Sequence, residues 1–231
     1  MEQTLEIIVP DTWADVTLSQ YMAFMKAVKP YEGSELYGQV MLEKAAAHFC
    51  NVPLEVLIKM PIENYKGITG YLQELFDFGK DLPIVKNFEM GTTKYGFIPK
   101  LDEMTYGEYL DLTTYFKDMW DNMPTIMSVL YRPIVQEDIR GYKIKPYSGT
   151  TEDTEELFKN FITMDIVWGA IGFFTSLQND LLKGILTYSQ KILKKELKKK
   201  NSPLMETLTT NGVDISQLQS LQEMISQNLT K

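Results

Sequence analysis

Arginine, histidine and cysteine are scarce in this 231-residue chain. Arg132 and Arg140 are the two arginines, His48 is the single histidine, and Cys50 is the single cysteine. One cysteine cannot form an intramolecular disulfide, and one histidine with one cysteine cannot build a structural zinc site. His48 and Cys50 are two positions apart, so on a helix they would point apart and could not share a reacting atom. We therefore expect no thiol nucleophile, no bound metal and no cofactor.

Phosphate-binding and catalytic motifs are also missing. The sequence contains no P-loop, no Gly-x-Gly-x-x-Gly, no His-Glu-x-x-His, no Gly-x-Ser-x-Gly and no EF-hand pattern. The formal net charge is −8, whereas sequence-independent binding of nucleic acid needs clustered positive charge. The most apolar run, 166–174, is shorter than the roughly 20 residues of a membrane-spanning helix. We expect a cytoplasmic protein whose main partner is neither nucleic acid nor a membrane.

Carboxylates, by contrast, are abundant, and two of them suggest an enzymatic alternative. Glu108 and Asp111 would lie on one face of a predicted helix. Paired acids can catalyse glycoside hydrolysis when their surroundings push their pKa values apart. Here the pattern already gives Glu108 a role in capping the helix, and it leaves Asp111 in solvent. We expect a protein that is not an enzyme, with a carboxylate-based hydrolase using Glu108 and Asp111 as an alternative.

Helical periodicity dominates the chain. Thr17 with Gln20, and Thr105 with Glu108, have the spacing of a capping box and predict helix starts. Further helices are predicted to open near Ser34, Pro53, Pro61, Pro124 and Glu152, and a long helical pattern runs over 164–198. The sequence therefore predicts a mainly α fold, a multi-helix orthogonal bundle.

Two segments interrupt the helical period. Residues 84–98 contain two apolar stretches around Gly91–Lys94, which predicts one small β-hairpin. Residues 132–150 are rich in proline and glycine and predict a long irregular loop, with one strand near 142–144, of the kind that often binds partners. We place a mainly helical core domain over 1–198 and a linker with a helical C-terminal tail over 199–231.

Candidate partner-binding residues come from the aromatic and basic side chains. Methionine and aromatic residues fill cores and also form adaptable binding surfaces. Those we expect at an interface lie near or within the predicted loop: Tyr131, Arg132, Tyr142 and Tyr147. A second set, on one face of the last long helix, is Lys191, Lys194, Lys195 and Lys198. These lysines either solvate a helix C-terminus, which is favourable without a ligand, or contact an acidic protein.

Five segments resemble small helical proteins encoded among the structural genes of tailed bacteriophages. They are Trp13–Tyr21, Met104–Leu112, Leu130–Ile134, Tyr147–Thr150 and Gly169–Phe174. The resemblance spans about residues 13–190. In general type the chain is similar to tail-assembly chaperones and virion-associated proteins, including those of crAss-like phages.

The resemblance implies a non-enzymatic role in building or forming the virion through protein–protein contacts. The implied partners are tail, tape-measure or connector proteins, with self-association left open. The implied location is the host cytoplasm during assembly, with retention in the virion also open. A chaperone would cover an apolar segment of a partner, and a permanent component would bury similar surface in a ring. A cytosolic adaptor unrelated to phages is the remaining alternative.

Overall fold

The computed structural model describes residues 6–77, 82–98 and 104–173. Over these ranges the protein is mainly helical, with eight α-helices and a four-stranded antiparallel sheet. The helices are α1 Leu18–Val28, α2 Tyr37–Phe49, α3 Leu54–Lys59, α4 Ile62–Asp77, α5 Tyr106–Tyr115, α6 Met123–Leu130, α7 Glu152–Phe161 and α8, which is described over 164–173. The strands are β1 Asn87–Met90, β2 Thr93–Phe97, β3 Tyr131–Asp138 and β4 Gly141–Ile144.

Both predicted capping boxes are present, at the starts of α1 and α5. The Thr17 side chain accepts a hydrogen bond from the Gln20 backbone N–H, and the Gln20 side chain accepts one from the Thr17 N–H at 2.8 Å. Thr105 and Glu108 make the same reciprocal pair at the start of α5. These bonds satisfy backbone donors that the first turn of a helix leaves without partners. The predicted starts of these two helices are confirmed.

The sheet is larger than the single hairpin predicted from the sequence. Strands β1 and β2 form the expected hairpin around Gly91, whose φ of +63° glycine adopts without strain. The strand predicted near 142–144 is confirmed as β4, but the irregular loop predicted before it is wrong. β3 and β4 form a second hairpin that pairs with β2 and gives the strand order β1-β2-β3-β4. Pro133 argued against a strand at β3, because proline has no backbone N–H to donate. Its carbonyl can still accept, and it does so from Lys145 N at 2.8 Å.

The core combines the helices with one face of the sheet. Trp13 lies at the centre of the helical part, with its ring centroid 5.8–6.2 Å from four other aromatic rings in edge-on geometry. Those rings are Tyr21, Phe49, Phe76 and Trp168. On the sheet side, Tyr95 and Tyr131 are buried, and Tyr95 meets Phe158 of α7 at 5.3 Å between centroids. Aromatic packing therefore joins distant parts of the chain into one core.

The two glycines of α8 give a matched pair of stability tests. A Cβ at Gly169 would lie 2.6 Å from the carbonyl oxygen of Pro83, whereas no heavy atom of the described residues lies within 4 Å of a Cβ at Gly172. We expect Gly169→Ala to lower the free energy of unfolding by about 1–3 kcal/mol through overpacking. Gly172→Ala should be neutral or stabilise by up to about 1 kcal/mol, because alanine favours helix. Urea unfolding measures both; equal effects would contradict the close contact.

The C-terminal predictions lie outside the described residues. They are the domain boundary at 198, the helical tail over 199–231, and the basic face formed by Lys191, Lys194, Lys195 and Lys198. They stay predictions.

Candidate functional site

Three of the predicted interface residues line one groove. Arg132, Tyr142 and Tyr147 meet there, in a cavity of about 520 Å³. The other lining residues are Ile98, Thr105, Glu108, Lys143, Ile144, Lys145 and Pro146. We call it the β4 groove, because β4 and the segment that follows it contribute most of these residues. The first turn of α5 forms part of the lining, so the groove also contains one acid of the hydrolase alternative.

A buried ion pair joins α5 to β3 beside this groove. Arg132 Nη2 lies 2.5 Å from Glu108 Oε1, and both side chains are largely buried. The other oxygen of Glu108 accepts from Thr105 N at 2.5 Å. The Arg132 guanidinium also lies 5.6 Å from the centroid of the Tyr147 ring, and its Nε has no hydrogen-bond partner in the described part of the chain. Both oxygens of Glu108 are therefore engaged in holding α5 in place.

Asp111 is half-buried and bound, not solvated as the sequence suggested. The Tyr147 hydroxyl donates a hydrogen bond to its carboxylate. Burial, and next this hydrogen bond, raises the pKa of Tyr147 well above its usual range. The bond fixes the segment after β4 against α5. The two acids of the hydrolase alternative thus each have a side-chain partner, Arg132 for Glu108 and Tyr147 for Asp111.

Two of the predicted interface residues, Tyr131 and Tyr142, hold parts of the fold together. Tyr131 is 1% exposed, and its hydroxyl donates to Val85 O at 2.8 Å. It was expected at an interface, but it is a core residue. Burial raises its pKa above the usual range. Tyr142 is half-buried and its hydroxyl donates to Lys86 O and Phe97 O at 2.7 and 2.9 Å. Tyr142 therefore both lines the β4 groove and holds the second hairpin on the sheet.

Helix α5 carries an apolar surface that the sequence reading missed. Tyr106 is 74% exposed, Tyr109 54% and Leu110 43%. Thr113 and Thr114 are exposed beside them, and their hydroxyls donate to the backbone carbonyls of Tyr109 and Leu110 at 2.9 and 2.8 Å. Because these hydroxyls are turned to the backbone, the threonines add apolar area. We call these five residues the α5 face.

The orientation of α5 explains why the sequence did not predict this exposed apolar surface. Helical spacing alone left open which face of α5 is buried, and in the structure Glu108 and Leu112 are the buried residues of this helix. Periodicity gives the faces of a helix and not which face is inside. No local signal marks Glu108 as the buried position, because its partner Arg132 is distant in the chain.

A second groove, of about 720 Å³, lies along α1. Its apolar part is formed by Met22 and Met25 of α1 together with Met119 and Trp120. The remaining lining residues are Ser19, Ala23, Lys26, Lys29, Glu32, Asp118, Asp121 and Lys159. We call it the methionine groove. Unbranched thioether side chains adapt to different partners, so such a surface suits protein binding.

Cys50 has the properties of an inert thiol. It is buried, and burial raises its pKa to about 11. Nearby, burial and next the charge of Lys44 lower the pKa of His48. Within the described ranges, no group of three or more histidine, cysteine, aspartate or glutamate side chains could hold a metal ion. The arrangement offers no activated nucleophile at this position.

The raised pKa predicts slow thiol chemistry in the folded protein. At pH 8 we expect the native protein to react with a thiol-specific disulfide reagent at least about a hundredfold more slowly than the protein in urea, because the thiolate is the reactive form. Absorbance of the released thiol reports the rate. A native rate close to that of the unfolded chain would contradict the burial of Cys50.

Comparison of the chain with protein-family models, curated proteins and solved structures finds no match. Over the residues that the structure describes, no helix is both long and apolar enough to cross a membrane. A function for this chain therefore has to be inferred from its own residues and their geometry.

Proposed function

We propose that this protein acts in the assembly or structure of a tailed-phage virion by binding other protein chains through the α5 face. The observation that carries the proposal is the orientation of α5: Tyr106, Tyr109 and Leu110 are exposed to solvent, while Glu108 is buried. The phage setting comes from the sequence resemblance over about residues 13–190. Tail, tape-measure and connector proteins are the partners that this resemblance implies.

The energetics of the α5 face favour binding. Complete burial of a large apolar side chain stabilises a complex by roughly 1.5–3 kcal/mol. Tyrosine is also among the residues most enriched at the centres of interfaces. Over Tyr106–Tyr115, the exposed positions carry no charged side chain, so a partner would desolvate no ion there. The face thus offers apolar area at a low desolvation cost.

Mass spectrometry of purified virions separates the two forms of the proposal. A permanent component should be present at a copy number that matches a ring of the tail or of the head-to-tail junction. A chaperone should be absent from the finished particle and should be found bound to a virion protein in infected cells. Absence from virions together with absence of any bound virion protein would contradict both forms.

Substitution on α5 tests the contact itself. We expect Tyr106→Ser combined with Tyr109→Ser to lower the yield of infectious particles at least tenfold in a complementation assay, because the binding surface loses both aromatic rings. Tyr71→Ser is the matched control: Tyr71 is 61% exposed on α4, where its neighbours Ile68 and Leu75 are buried. Equal yields from the double variant and the control would contradict a role for the α5 face.

The alternatives make different predictions. A hydrolase would lose turnover in Asp111→Asn, whereas assembly should tolerate this change because an amide oxygen can still accept from the Tyr147 hydroxyl. A cytosolic adaptor would lack portal, major capsid and tape-measure genes beside its own. Genes of that kind in the neighbourhood would favour the phage role.

A further inference from the structure

We propose that two of the surfaces described above bind each other between copies: the α5 face of one molecule occupies the methionine groove of the next. The inference rests on the proposed function, since it names a second copy of this chain as a partner of the same α5 face. The contact is heterologous, because the two surfaces consist of different residues. It makes self-association part of how the protein works.

The chemistry of the groove suits the α5 face. Met22, Met25 and Met119 supply flexible thioethers that can adapt to a tyrosine ring, and sulfur–aromatic contacts are favourable. Trp120 is held more rigidly, because its ring centroid lies 4.9 Å from that of Tyr21 and 5.5 Å from that of Trp168. The groove thus combines a fixed aromatic wall with adaptable side chains, as an aromatic guest requires.

Charge favours a neutral guest in the groove. Its lining carries three lysines and three acids, namely Lys26, Lys29, Lys159, Glu32, Asp118 and Asp121. A strongly acidic or basic segment would meet like charges there as well as opposite ones, and like charges in contact are costly. The exposed positions of α5 are uncharged. Because each copy has a net charge of −8, an uncharged face meeting a balanced groove also limits repulsion between copies.

The symmetry of such a contact has a structural consequence. Heterologous contacts repeat head to tail and produce a ring when the rotation closes, or a filament when it does not. The α5 face consists of five residues, whereas a standard interface contains roughly 20–30 residues a side. One contact alone should therefore be weak. In a closed ring each copy makes two such contacts, which suits a protein that assembles at high local concentration.

Complementation between two variants tests the proposal on the full chain. Leu110→Asp places a charge in the α5 face and leaves the methionine groove intact. Met25→Asp places a charge in the methionine groove and leaves the α5 face intact. By sedimentation velocity we expect concentration-dependent self-association of the unaltered protein, and a rise of at least tenfold in the dissociation constant for either variant alone. An equimolar mixture should form a one-to-one dimer, because one intact α5 face and one intact groove remain. Tyr71→Asp should associate like the unaltered protein.

Several outcomes would overturn the proposal. Self-association of Met25→Asp alone, with no rescue in the mixture, would show that α5 faces pair with each other. A protein that stays monomeric at its highest soluble concentration would exclude a second copy as the partner. If the variants of Tyr106 and Tyr109 still lowered particle yield in that case, the proposed function would stand without self-association. Circular dichroism of each variant checks that the aspartates have not unfolded it.

Discussion

Replacing Arg132 with methionine should lower the free energy of unfolding by about 3–5 kcal/mol, as expected when one partner of a buried ion pair is removed. The guanidinium lies 2.5 Å from Glu108, and both side chains are largely buried. Methionine occupies a similar volume but leaves the carboxylate of Glu108 without its counter-charge. Urea unfolding at pH 7, followed by circular dichroism, measures the loss.

Two further variants show whether this loss comes from the pair. Arg140→Met removes the other arginine, which is exposed, and should change stability by no more than about 0.5 kcal/mol. Glu108→Gln combined with Arg132→Met should recover much of the loss, because no unpaired charge then remains inside. Equal losses from Arg132→Met and Arg140→Met would contradict the buried pair.

Replacing Trp13 with alanine should lower the free energy of unfolding by about 3–5 kcal/mol, because a cavity replaces a large core side chain. Trp13 is 3% exposed and lies among four aromatic rings. Its Nε1 has no hydrogen-bond partner in the described ranges. Urea unfolding monitored by far-ultraviolet circular dichroism avoids the change in tryptophan fluorescence that the substitution itself causes.

Trp13→Phe is the matched variant for this prediction. Phenylalanine keeps an aromatic ring in the cluster and sacrifices no hydrogen bond, since the indole N–H makes none there. Trp13→Phe should therefore lower the free energy of unfolding by less than half as much as Trp13→Ala. Equal losses from the two substitutions would mean that the phenyl ring retained in Trp13→Phe adds no stability, and this would contradict the packing role of Trp13.

Local patterns in the sequence predicted the helix starts well. The boxes at Thr17 and Thr105 depend on residues three positions apart, so the sequence contains all the information they need. The β1–β2 hairpin is equally local, with Gly91 supplying the turn. Strand β3 is different: it contains Pro133 and acidic residues, and it pairs with β2 through contacts such as Gly96 with Arg132. Local propensity could not predict that pairing.

The candidate site was predictable in part. The sequence singled out Arg132, Tyr142 and Tyr147, which the fold brings together in the β4 groove. It misplaced Tyr131, because alternation along β3 sends adjacent side chains to opposite faces of the sheet, and Tyr131 faces the core. It could not find the partners of Glu108 and Asp111, since Arg132 and Tyr147 lie on segments distant in the chain.

The sequence by itself determined that the protein is mainly helical and where α1 and α5 begin. Only the tertiary structure decided that α5 turns Tyr106 and Tyr109 outward, that β3 and β4 extend the sheet, and that Glu108 is buried against Arg132. The physical reason is one of range. Caps and turns are made by neighbours in the chain, whereas the inward face of a helix depends on which distant side chain can neutralise or cover it.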